Sequence, residues 1–113
     1  MKQIKAIIQP FKLPRVCEAL ESIEGLSGIT VPEVMGWGKA KAVGAQETVL
    51  NRGCLSAQKL KVEIVVPGAM ADEVGTALAD TARTGNVGDG KIFFTDLSDV
   101  VKIRTGEHGE AGF

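Results

Sequence analysis

Tyrosine is missing from this sequence, and its remaining aromatic residues are one tryptophan and four phenylalanines. No tyrosine-directed covalent modification is open to it. Histidine occurs once, in Glu107-His108-Gly109-Glu110, with no second histidine or cysteine nearby. It reads as part of a solvated tail, and no metal site is expected. The two cysteines, Cys17 and Cys54, are far apart and form neither a CxxC pair nor a Cys/His ligand spacing. Free thiols in a reducing compartment are the reading, with Cys17 partly buried beside a helix stripe. Long hydrophobic runs are also lacking: nothing approaches the roughly 20 apolar residues of a spanning helix. The start Met1-Lys2-Gln3-Ile4-Lys5 is too polar for a signal peptide. A cytoplasmic protein without direct membrane insertion is expected. Charge of one sign is not in excess either, since 13 basic and 14 acidic residues leave a net charge of -1. That balance gives no general attraction to nucleic acid or anionic membrane, so any anion site must be local.

What is present suits one domain over residues 1–113, because 113 residues at 44% hydrophobic can bury one core. Ile4 to Ile8 reads as a strand cut off by Pro10, and Pro14 fits the first turn of a helix, where no N–H donor is needed. Val16, Ala19, Leu20 and Ile23 recur at helical spacing, Gly25 is a stop, and a second strand is expected over about Gly28 to Trp37. The pattern then repeats. Leu60 to Val66 alternates clearly, with Val62, Ile64 and Val66 on one face. A helix is expected from about Met70 to Arg83 on the stripe Met70, Val74, Ala77, Leu78 and Thr81. Lys91 to Phe94 reads as a fourth strand and Val100 to Arg104 as a short fifth. Two strand-helix-strand units predict an α+β, ferredoxin-like layer: four antiparallel strands with two helices on one face. The uncovered face predicts self-association. Between the halves, about 38–58 lacks periodicity, and compact domains seldom keep such a loop without a use.

The sharpest local feature is Thr84-Gly85-Asn86-Val87-Gly88-Asp89-Gly90-Lys91. Gly85 to Lys91 satisfies the G-x-x-x-x-G-K part of a phosphate loop, in which glycine N–H groups approach phosphate and a lysine supplies charge. Ile92 stands where that motif needs Ser or Thr, and the order here is helix, loop, strand rather than strand, loop, helix. A P-loop NTPase is rejected. On local pattern alone, a tight turn bearing a surface lysine accounts for the octapeptide equally well. The rest of the chain tips the balance: Gly36-Trp37-Gly38-Lys39 is a second glycine-flanked basic turn, and Lys102-Ile103-Arg104 puts two cations on one side of an extended segment.

The start Ile4-Lys5-Ala6-Ile7-Ile8-Gln9-Pro10-Phe11-Lys12-Leu13, the run Lys61 to Pro67, the loop Thr84 to Lys91 with Ile92-Phe93, and the tail Ile103-Arg104-Thr105-Gly106-Glu107 resemble the PII nitrogen-regulatory family over almost the whole chain. The resemblance implies a homotrimer binding ATP or ADP in clefts between subunits, with no catalytic residues. Thr30, Glu63 and Val65 would bound the adenine, while Gly36, Gly38, Lys39, Gly88, Asp89, Gly90, Lys91, Lys102 and Arg104 would surround the phosphates. Lys39 and Lys102 stand where the family usually has arginine, which keeps charge but loses the bidentate fork.

The family's long T-loop, here about 38–58, changes shape with nucleotide and 2-oxoglutarate and engages a target, a membrane transporter or an enzyme. Ala40 occupies the place of a glutamine that helps hold magnesium and 2-oxoglutarate. Magnesium is therefore left open, 2-oxoglutarate is expected to bind weakly or not at all, and Lys41 and Lys59 remain as small-anion contacts. Without tyrosine, the uridylylation used by many relatives is excluded. The leading expectation is a non-enzymatic, nucleotide-sensing regulator. A slow ATPase at the same site and a regulator responding to another small anion are the alternatives.

Overall fold

The computed structural model describes residues 1–26, 28–37 and 56–109. Strand β1 (Lys2–Ile8) leads through a 3-10 turn at Pro10–Lys12 into helix α1 (Leu13–Glu21). Strand β2 (Glu33–Trp37) precedes β3 (Ser56–Val66), and a second 3-10 turn at Gly68–Met70 opens helix α2 (Ala71–Ala82) before strand β4 (Lys91–Asp96). The sheet has the order β2-β3-β1-β4, and each neighbouring pair is antiparallel.

Alternation decides which face is covered. Ile4, Ala6 and Ile8 lie opposite Ile64, Val62 and Leu60, and all are buried. The helices close over this face with Val16 and Leu20 from α1 and Val74 and Leu78 from α2, forming one core. Burying each such side chain is worth about 1.5–3 kcal/mol against leaving it exposed. The opposite parity gives the other face: Gln3, Lys5 and Ile7 run beside Val65, Glu63 and Lys61, with Phe93 opposite Lys5 at the β4 edge. Phe93 is half exposed there, and Ile103 in the tail is 98% exposed.

Several boundaries differ from the sequence reading. The third strand starts at Ser56, so residues 56–58 belong to the ladder with β2 and not to a loop. β2 begins at Glu33, and Thr30 joins the sheet only through an isolated bridge to Glu63. The short fifth strand over Val100–Arg104 is not formed. Val101 instead bridges back to His108, while the Lys102 carbonyl accepts from the N–H of Gly106 at 2.7 Å, so a hairpin uses these backbone groups locally. His108 belongs to that hairpin through an Nδ1–Asp99 Oδ2 contact of 2.6 Å, although it stays exposed. Asp99 Oδ1 also accepts from the N–H groups of Val100 and Gly109, and these contacts, His108 first, hold its carboxyl below the usual range.

Candidate functional site

The segment 84–91 connects the end of α2 to the start of β4, and each part of it is fastened differently. Asp89 folds back so that its Oδ2 accepts from the backbone N–H of Thr84 and of Gly85, both at 2.9 Å, while its Oδ1 accepts from the Thr84 hydroxyl. These bonds, the Thr84 hydroxyl foremost, together with the charge of Lys12, hold the Asp89 carboxyl below its ordinary pKa. Asn86 donates its N–H to the Thr84 hydroxyl at 3.1 Å. At the other end Gly90, with φ +96°, lies so close to the Ile7 carbonyl that a Cβ there would sit 1.7 Å from the oxygen. Only glycine fits this approach.

The middle is held from outside. The carbonyl of Gly88 accepts from Gln9 Nε2 at 2.9 Å and from Lys59 Nζ at 2.5 Å. Lys59 is only 7% exposed. Burial lowers its pKa, partly offset by the charge of Asp89. Lys59 thus serves the 84–91 loop itself, a role beyond the small-anion contact read from the sequence. Lys91 opens β4 opposite Ile7 and is exposed. A pocket of about 250 Å³ between α2 and the start of β4 is lined by Ile8, Ala82, Arg83, Asp89, Gly90 and Lys91, among others.

The remaining expected residues fall in three places. Thr30 and Glu63 exchange backbone bonds at 3.0 and 2.9 Å, and the Glu63 carboxylate pairs with Lys61 at 3.2 Å. Val65 lies on the same sheet face as Glu63, and Gly36 pairs with Ala57 in the β2–β3 ladder. Lys102 and Arg104 sit on the tail hairpin, and among the described residues no hydrogen bond joins that hairpin to 84–91. Gly38, Lys39, Ala40 and Lys41 lie outside the described residues. Thr84 stood inside the loop read from the sequence without a role of its own, and its hydroxyl organises that loop; Gln9, whose amide reaches it, was missed. Thr84 has a local signal, a hydroxyl residue five positions before an Asp in a glycine-rich turn. Gln9 has none, because its contact spans 79 positions.

The sequence profile described as "Nitrogen regulatory protein P-II" matches residues 1–107. The chain belongs to the P-II nitrogen regulatory family. Its P-II relatives include "Nitrogen regulatory protein P-II" of Rhizobium meliloti (strain 1021), 46% identical over 113 residues and 96% of each chain. "Nitrogen regulatory protein P-II 1" of Escherichia coli (strain K12) is 46% identical over 115 residues and 98% of each chain. The P-II protein of Pasteurella multocida (strain Pm70) is also 46% identical, over 97% of each chain. Among the described residues, no helix of this P-II chain is long and apolar enough to cross a membrane.

Proposed function

We propose that this P-II protein is a homotrimeric, adenine-nucleotide-sensing regulator, and that nucleotide occupancy controls a target transporter or enzyme through residues 38–55. The observation that carries the reading is the 84–91 loop: a glycine turn fastened at both ends, with the exposed Lys91 beside it. Prefixed N–H donors next to a cation suit the oxygens of a phosphate chain, and they need little reordering when the anion arrives. Adenine lies by Thr30, Glu63 and Val65, and the phosphates take Gly88 to Lys91 with Lys102 and Arg104. The tail cations come from a neighbouring subunit in this arrangement. Partial exposure of Phe93 and Val101, and the almost bare Ile103, favour an assembly that covers them. ATP and ADP must stabilise different states of 38–55, since a ligand with equal affinity for both shifts nothing.

Two measurements test this. Light scattering should give about three times the 11.9 kDa chain mass, and a stable monomer refutes the assembly. In calorimetry, Lys91→Ala should weaken ATP and ADP by tens-fold, as loss of a charged phosphate contact does. Unchanged affinity would remove Lys91 from the site.

A further inference from the structure

We infer that Gln9 is a positioning residue for the phosphate-binding loop: with Lys59 it pins the Gly88 carbonyl and thereby aims the N–H of Asp89 away from the sheet, toward the bound anion. This rests on the nucleotide-binding reading above. A carbonyl oxygen has two lone pairs, and both are used here, by Gln9 Nε2 and Lys59 Nζ. In a trans peptide the C=O of one residue and the N–H of the next point in opposite directions. Fixing the Gly88 oxygen against the end of the sheet therefore turns the Asp89 N–H outward. Among the described residues that N–H donates to no protein acceptor.

The clasp is held at the end of one antiparallel pair: Lys59 belongs to β3, and Gln9 is the first residue past the end of β1. β1 and β3 run antiparallel with Ile8 opposite Leu60, so one step further Gln9 falls opposite Lys59. Nothing else in the loop performs this task. The Asp89 carboxylate ties only the loop's beginning, at Thr84 and Gly85, and Gly90 packs only its end, against Ile7. Gly88 itself has φ +99°, a glycine conformation that leaves the following peptide plane free to turn unless it is held. Two donors also give redundancy. If Lys59 turns toward another acceptor, Gln9 keeps the plane; if Gln9 is lost, a single flexible ammonium must do so alone.

The test uses the full chain, with ADP as the probe and two readouts. Gln9→Met keeps the length and removes the donor, whereas Gln9→Lys restores a donor. Gln9→Met is expected to raise the Kd for ADP by about fivefold, the worth of one hydrogen bond. It should also speed amide hydrogen exchange across 86–90 in the nucleotide-free protein, with the melting temperature unmoved. Gln9→Lys should return both readouts to near wild type. Wild-type exchange and affinity in Gln9→Met overturn the inference, as does a defect that Gln9→Lys fails to rescue. If wild-type protein does not bind ADP, the nucleotide reading fails by itself. The exchange rates of 86–90 then still judge the clasp.

Discussion

Replacing Gly90 by alanine isolates the effect of one close approach. Two costs fall on the variant. The first is conformational: φ is +96° at Gly90, and a side chain there strains the backbone by about 1–3 kcal/mol. The second is steric. A Cβ would lie 1.7 Å from the Ile7 oxygen and 2.7 Å from the Ile7 carbonyl carbon. An ordinary carbon–oxygen approach is about 3.3 Å, so a gap of roughly 1.6 Å has to open. Both neighbours are backbone, and no side chain can swing aside. The first β1–β4 pair, Ile7 with Lys91, must part. Loss of ladder bonding at this pair, at about 1 kcal/mol per bond, adds about 1–2 kcal/mol. Gly85→Ala is the matched control, because Gly85 has φ +88° but nothing within 4 Å of its Cβ position. The unfolded-chain entropy gained by alanine is common to both variants and cancels. Urea unfolding at one fixed protein concentration should therefore place Gly90→Ala about 0.5–1 M below Gly85→Ala in midpoint, for a slope near 2 kcal/mol/M. Equal midpoints would refute the collision argument and leave only backbone strain.

Three further outcomes are expected. Leu78 is fully buried between α2 and the sheet, so Leu78→Ala should cost about 2–5 kcal/mol in the same urea assay. A loss below about 1 kcal/mol would mean that α2 does not pack as described. Asp89 is held below its ordinary pKa by the Thr84 bonds, so its contribution is complete above the usual carboxylate value near 3.9. It drains away only as pH falls further, through the folded pKa. NMR of the Thr84 and Gly85 amides should be constant from pH 7 to 5 and move only once pH has fallen below the usual carboxylate value; movement in the higher window contradicts the sign. 2-Oxoglutarate titrated into the Mg-ATP complex should bind weakly or not at all, because Ala40 offers no side-chain oxygen ligand and magnesium demands near-octahedral coordination. Submillimolar binding would show that another residue supplies the ligand.

Local pattern carried much of the fold. Alternation in Leu60 to Val66 and the stripe through Val74 and Leu78 mark β3 and α2, and the doubled strand-helix-strand order leads to the antiparallel sheet. The failures were at ends, where cross-strand pairing rather than local composition decides. Ser56 to Gln58 have no strand periodicity, yet β2 gives them partners. Val100 to Arg104 look extended but lack a neighbouring strand, so their backbone bonds close a hairpin instead. The 84–91 loop was legible because its glycines and lysine are contiguous. The support from Gln9 was not, since it depends on the register that sets β1 beside β3.

Among the described residues the last β2–β3 pair is Trp37–Ser56, and residues 38–55 connect these two positions in the sequence. Trp37 is the sole tryptophan, and there is no tyrosine to contribute overlapping emission. Intrinsic fluorescence of the unlabelled protein thus comes from one residue, the one that precedes that segment in the sequence. Stopped-flow mixing with ATP or ADP can follow events at this junction without a dye, tag or substitution, and any change in emission belongs to a single known position.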